Sequence, residues 1–385
     1  MSTIAMFSTY QPSRGFGGPS RIFHAREVLE AAGHRVVHVV IQANPASGDS
    51  RRDDIVRIVE RPFGARVDHI YNDVDLGRRA AADERLSARL ANELAQRGVD
   101  LVMLEQPFLV ETAERVATRL GAPIVYSCHN VEYRLFRELE RYVPDWRRSK
   151  QRSAEVRDLE VRATEIAEVV TTIADTDRQL VLDEFGVDSV VVPNGSTLAD
   201  GDVPAAARRV DFAFVGSAYW PNTEGFAQIA TPSLAFLPPT TRIHVAGSVG
   251  RELLRNPVID RHHSVNVSRL ELHGFVDADE LRRLLASANA VIVPVFVGEG
   301  SNLKSADALA SGSPVIMTEK ATRGYEHVLA ADDEGVTVVA DAAHFREAMR
   351  RSLGAPPPDG PIGHERRDRL TWRRRLAPLV DAIPG

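Results

Sequence analysis

Two acids, Glu299 and Asp307, stand eight positions apart on either side of Lys304, within the stretch from Gly298 to Ile316. With the first acid at a turn and the second two turns into a helix, both can address one ligand from different sides. Lys304, one turn in, adds a cationic point charge. Gly298 and Gly300 let backbone come close to a ligand, and Ser301, Asn302 and Leu303 form the mouth of a helix. There, free N–H groups and the helix dipole suit an anion such as phosphate.

These residues have to be held in place by the elements around them. The β-branched run Ala290 to Val297 predicts a strand buried on both faces ahead of the turn. Gly312, Ser313 and Pro314 stop the helix, and Val315-Ile316 begin another buried strand. An α/β protein can also build such a strand, turn and helix for packing alone.

From Glu299 to Asp307, and on through Ala310-Ser311-Gly312-Ser313-Pro314-Val315-Ile316, the chain resembles retaining glycosyltransferases of the GT-B fold, family 4-like (glycosyl transferases group 1). Their fingerprint is an acid, seven intervening residues and a second acid, then a short helix ending in small-Gly-x-Pro-Val-Ile. The second acid is normally Glu; Asp307 keeps the charge but is one methylene shorter. The resemblance implies an α/β protein of two Rossmann-like doubly wound domains facing a central cleft. It also implies a C-terminal helix that crosses back to the first domain.

Length and composition fit such a plan. The 385 residues point to two or three domains, and 44% hydrophobic content is enough for two cores. A net charge of −6 argues against nucleic acid as the main partner. No charge-flanked apolar N-terminal segment and no apolar run of transmembrane length are present, so a cytoplasmic protein is expected. The single Cys128 cannot form an internal disulfide, and its place at the end of an apolar strand favours a buried thiol over a nucleophile.

In the first half, Thr3 to Ser8 reads as a strand, Pro19 to Ala32 as a helix and Arg35 to Ile41 as a second strand. Gly17 and Gly18 lie in the loop at the carboxyl end of the first strand, where open α/β sheets place ligands. The loop is not G-x-G-x-x-G, which sets aside a nicotinamide or flavin site. In the family a Gly-Gly pair here faces the cleft near the donor diphosphate or the acceptor. Acceptor pockets form from loops such as Gln42 to Arg79. Further strands are expected at Val99 to Leu104 and Ala122 to Ser127. His129-Asn130-Val131-Glu132 follows the latter and resembles the corresponding family segment, which implies that His129 lies near the transferred sugar or the acceptor. A strand-end His can equally be structural, and Glu132 can be simply the acidic first turn of a helix. Arg134 to Arg157 is Arg-rich with interspersed acids; it reads first as a helix pair in water, and contact with an anionic membrane surface is the less favoured reading.

The strand and helix alternation restarts at Val210 to Gly216, after a polar linker. This gives domains of 1–199 for the acceptor and 200–365 for a nucleotide sugar, with 366–385 as the helix packing back. Gly216-Ser217, with the following Pro221-Asn222-x-Glu224-Gly225, resembles the family loop that holds the donor. The Arg and Lys that clamp the diphosphate in better-known members are missing, and Lys304 and Arg323 are the cations nominated instead. Phe275-Val276 matches the loop beside the nucleotide base; a plain strand end is the competing account. Thr371 to Ile383 reads as one amphipathic helix.

What the resemblance implies chemically is transfer without an enzyme nucleophile, metal ion or separate cofactor. The acceptor attacks on the face the diphosphate leaves, with Asp307 on ribose hydroxyls and Glu299 on sugar hydroxyls. Small-molecule, glycan and natural-product acceptors are all compatible. Two other readings stay open: a nucleotide-sugar epimerase or hydrolase of the same fold, and a non-catalytic nucleotide-sugar-binding subunit.

Overall fold

The structure is a computed structural model and describes residues 1–14, 17–42, 54–58, 72–140, 146–204, 210–329, 335–355 and 360–384. Most of the expected acceptor loop from Gln42 to Arg79 lies outside these, as do 205–209 and 356–359 of the two linkers. The chain forms two compact units, Met1–Pro193 with Leu376–Gly385, and Asn194–Arg375.

In the first unit, in chain order, come β1 (Thr3–Ser8), α1 (Gly18–Ala31), β2 (Arg35–Gln42), β3 (Ile55–Ile58), α2 (Asn72–Ala82) and α3 (Glu84–Gln96). There follow β4 (Leu101–Glu105), α4 (Val110–Leu120), β5 (Ile124–Ser127), α5 (Glu132–Leu139), α6 (Trp146–Ile166), β6 (Val169–Thr172), α7 (Asp175–Phe185) and β7 (Val190–Val191). The strands make one seven-stranded sheet in the order β3-β2-β1-β4-β5-β6-β7, with every pairing parallel. Parallel strands need helical crossovers, which cover both faces, and so β1, β2 and β4 are almost wholly buried apolar runs. Phe7, Leu104 and Tyr126 lie in the core of this unit.

The second unit contains β8 (Val210–Val215), α8 (Trp220–Ile229), β9 (Ile243–Ala246), α9 (Val249–Arg255), α10 (Pro257–Arg261), α11 (His263–Val267), β10 (Leu270–Gly274) and α12 (Ala278–Ala286). It continues with β11 (Ala288–Val293), α13 (Leu303–Ala310), β12 (Val315–Thr318), β13 (Val336–Val339), α14 (Ala342–Gly354), α15 (His364–Arg369) and α16 (Trp372–Arg375). Its six strands are again all parallel, in the order β10-β9-β8-β11-β12-β13. Alternate residues of β8 serve opposite faces: Phe212 and Phe214 pack with Phe226, and Ala213 and Val215 pack with Leu309.

Several elements depart from expectation. The strand expected to reach Val297 ends at Val293, because Pro294 has no N–H to give to a ladder. Helix α13 starts at Leu303, with Asn302 as its N-cap. The single helix expected over 371–383 is broken into α16 and α17 (Ala377–Ala382), since Pro378 cannot donate within a continuous helix and instead sits at the start of α17. The short helices α9 to α11 carried no clear signal. Residues 194–199 lie with the second unit, held by Ser196 N donating to Leu370 O (2.8 Å) and Arg375 Nε donating to Asn194 O (2.9 Å).

In the Arg-rich region Arg134 pairs with Glu184 (3.0 Å), and Arg152 with Asp75 (2.6 Å) and Glu155 (3.1 Å), all carboxylates of the same unit. Among the described residues no helix is long and apolar enough to cross a membrane.

Gly225, inside α8, lets that helix press against the end of β11, where an added Cβ would lie 2.0 Å from Pro294 O. Gly225→Ala is therefore expected to destabilise the second unit by about 1–3 kcal/mol through forced backbone movement. Urea unfolding checks this, and an unchanged midpoint would refute the close approach.

Candidate functional site

In open parallel sheets, ligands collect outside the carboxyl ends of the strands, at the point where strand order reverses. Those points are β1/β4 in the first unit and β8/β11 in the second. Most of the residues singled out in the sequence follow one of these four strands.

After β8, Gly216 donates its N–H to Ala246 O (3.0 Å), and a Cβ there would crowd Asn222 at 3.3 Å. Asn222 Nδ2 donates to Ser217 O (3.0 Å) and to Ser217 Oγ (3.3 Å), and its Oδ1 accepts from Lys304 Nζ (2.5 Å). Asn222 thus ties the loop after β8 to the first turn of α13. Lys304 is half-buried, and desolvation lowers its pKa to about 7.

After β11, Gly298 and Gly300 take φ of 111° and 70°, conformations that strain any side chain, and they turn the chain into α13. The Asn302 side chain makes no capping bond, and Tyr325 Oη donates to Asn302 O (3.1 Å). Ser301 Oγ accepts from Asn194 Nδ2 (2.8 Å). Glu299 and Arg323 form an ion pair at 2.5 Å, with both side chains mostly shielded. Asp307 accepts from Ser196 Oγ (2.6 Å), and burial raises its pKa to about 6 against that hydrogen bond. Gly216, Ser217, Lys304, Glu299, Arg323, Gly300 to Leu303 and Asp307 therefore share the reversal point of one sheet. Phe275 and Val276 do not: they follow β10 at the sheet's outer edge, with Phe275 73% exposed.

In the first unit, Gly17 is the N-cap of α1 at φ 66°, and a Cβ on Gly18 would lie 2.3 Å from Tyr10 Oη. Tyr10 Oη donates to Gln106 Oε1 (2.5 Å), and Gln106, with the left-handed φ of 69°, donates through Nε2 to Glu132 Oε1 (3.2 Å). Asn130 Nδ2 donates to the same oxygen (3.0 Å), yet burial still pushes Glu132 up to about 7. His129 is buried; its Nε2 lies 2.5 Å from Glu105 Oε2, and desolvation favours its neutral form although Glu105 opposes this. Cys128 is a buried thiol raised well above its usual pKa by desolvation, donating to Asn130 O (2.7 Å).

The fold and its two polar reversal points belong to the GT-B class of glycosyltransferases. Sucrose-phosphate synthase from Thermosynechococcus elongatus superposes with a TM-score of 0.69 at 16% identity, over 98% of this chain and 97% of that one. The Anabaena protein HepE, solved in complex with UDP and glucose, gives 0.64 at 13% identity over 100% and 96%. WaaG, a glycosyltransferase involved in lipopolysaccharide biosynthesis, gives 0.63 at 16% identity over 99% and 95%. No curated protein sequence matches the chain. Residues 17–199 match Glycosyltransferase Family 4 and residues 209–354 match Glycosyl transferases group 1, and the chain belongs to this glycosyltransferase family.

Sequence reasoning passed over Glu105, Gln106, Tyr10, Asn194 and Ser196, and gave Asn222 no role. Asn222 stands in the family-like segment Pro221-Asn222-x-Glu224-Gly225, so a signal is present for it.

Because the fold raises Asp307 from 3.8 to about 6, the folded chain binds more protons than the unfolded one between those values. Stability from this group falls as pH rises through that window, and the loss persists above it. Asp307→Asn, which keeps an oxygen for Ser196, should stabilise the ligand-free protein at pH 7.5 by on the order of 2 kcal/mol after discounting for partial exposure. The gain should vanish near pH 4. Chemical unfolding at the two pH values measures it, and equal stability of variant and parent at pH 7.5 would contradict the buried carboxyl.

Proposed function

We propose that the chain transfers a sugar from a nucleotide-diphosphate sugar to an acceptor hydroxyl with retention of anomeric configuration. The observation that carries this is the uncapped mouth of α13, with Lys304 in its first turn, Glu299 in the turn that precedes it and Asp307 about one turn into the helix. The HepE complexes with UDP and glucose and with UDP-glucose support a donor of this kind.

On this reading the diphosphate lies against the amides from Gly300 to Leu303, where the helix dipole and preorganised N–H groups stabilise the charge of the leaving group. Lys304, whose pKa burial lowers to about 7, is held as a full cation beside the diphosphate, taking up a proton where the empty site leaves it neutral. Arg323 fixes the Glu299 carboxylate, which accepts hydrogen bonds from sugar hydroxyls. Asp307, positioned by Ser196, accepts from the ribose diol. Ser217 and Gly216 complete the donor loop. The first unit takes the acceptor at Gly17-Gly18 and His129, whose ring is oriented by Glu105. The bond from C1 to the diphosphate oxygen breaks with its electron pair on that oxygen. The acceptor oxygen bonds to C1 on the same face, and its proton passes to the departing diphosphate. No step calls for a metal ion or a further cofactor.

A thermal-shift panel of nucleoside diphosphates and nucleotide sugars identifies the donor, since a ligand of the folded state raises its melting point. With that donor, Lys304→Ala is expected to slow turnover about 10²-fold or more at saturation. Calorimetry at pH 8 should record proton uptake on diphosphate binding by the parent and none by the variant. Near-normal turnover of Lys304→Ala removes the lysine from the reaction. An inverted product anomer, or product formed from nucleotide sugar with no acceptor, overturns retaining transfer itself.

A further inference from the structure

At the far edge of the second sheet three metal-ligating side chains meet on two neighbouring strands. Glu271 of β10 stands opposite His244 of β9 in the parallel register. The register then slips between Leu272 and Gly274, and this irregularity falls on His273. Such bulges re-aim a side chain. Here the His273 ring stacks on His244 with centroids 5.2 Å apart at 23°, and His244 Nδ1 lies 2.9 Å from His273 Nε2. Glu271 Oε2 is 3.6 Å from His244 Nε2. One ligand atom from each of the three lies within 4.8 Å of the other two.

We propose that His244, Glu271 and His273 bind a divalent transition metal ion such as Zn²⁺, which pins the edge strand β10 to β9. Two imidazoles and one carboxylate, with a fourth position open to water, are a donor set that suits borderline ions and not Mg²⁺ or Ca²⁺. Tetrahedral zinc with bonds of about 2.0–2.1 Å to nitrogen needs neighbouring ligand atoms about 3.3 Å apart. The two ring nitrogens are already near that spacing, and the ion replaces the proton they otherwise share. The Glu271 side chain is 55% exposed and free to swing the remaining distance, whereas His244 is only 12% exposed and fixed by the sheet. An edge strand has a hydrogen-bonded neighbour on one side only, so a cross-strand metal bond is worth most there. The site is separate from the β8/β11 reversal point and does not depend on the transfer reaction proposed above.

The test uses the full chain stripped with a chelator and then titrated with Zn²⁺ alone, with Co²⁺ as a spectroscopic substitute. One equivalent of Zn²⁺ should bind, raise the melting point, and, as Co²⁺, give the visible absorption of a four-coordinate ion. His273→Ala removes an exposed side chain and leaves the core intact. It should weaken binding at least about tenfold, the loss that even an outer-shell partner can cause, and abolish the thermal shift. His263→Ala, a surface histidine on α11, should bind like the parent. Absence of saturable binding, or equal affinity in His273→Ala and parent, overturns the proposal.

Discussion

A parallel sheet must be covered by helices on both faces, because its crossovers lie there and its strands are apolar throughout. Polar chemistry is thereby driven to the strand ends, and in both units it gathers where strand order reverses. The same covering desolvates whatever is placed at those ends. Lys304, Asp307, Glu132 and His129 all move toward their uncharged forms for this one reason, even where a hydrogen bond opposes it. Their residue types alone suggest full charges; their surroundings favour the neutral forms.

Hydrogen bonds from distant parts of the chain hold this arrangement. Asn222 ties Lys304 to Ser217, Ser196 fixes Asp307, and Arg323 fixes Glu299. Ser196 is itself anchored locally, its Oγ accepting from Leu198 N (3.0 Å), and the backbone next to Arg323 is held by Gly324 N donating to Glu326 (2.8 Å). Side chains locked by their neighbours can hold geometry for a reaction that depends on positioning and electrostatics.

The sequence is most legible where local rules and the fold agree. Buried β-branched runs mark strands, and Gly298 to Ile316 announces a turn and a helix mouth. It is less legible where a single residue overrides a pattern, as Pro294 does in ending β11 and Pro378 in dividing the terminal helix. It is silent on long-range pairing: nothing local links Ser196 to Asp307 or Arg323 to Glu299. Nor does propensity foretell the left-handed backbone of Gln106, which tertiary contacts through Tyr10 and Glu132 hold in place. The His244, Glu271 and His273 group was equally hidden, since its geometry arises from strand pairing and a slip in register.

The first unit is assembled from two separate stretches of chain, with Leu376 and Leu379 fully buried and α17 packed beside α1 and β7. On the ribosome, the nascent first unit must therefore wait with an uncovered apolar strip while the whole second unit is made. Chaperone engagement during that interval, and a tendency of prematurely terminated chains to aggregate, follow from the order in which the polypeptide emerges.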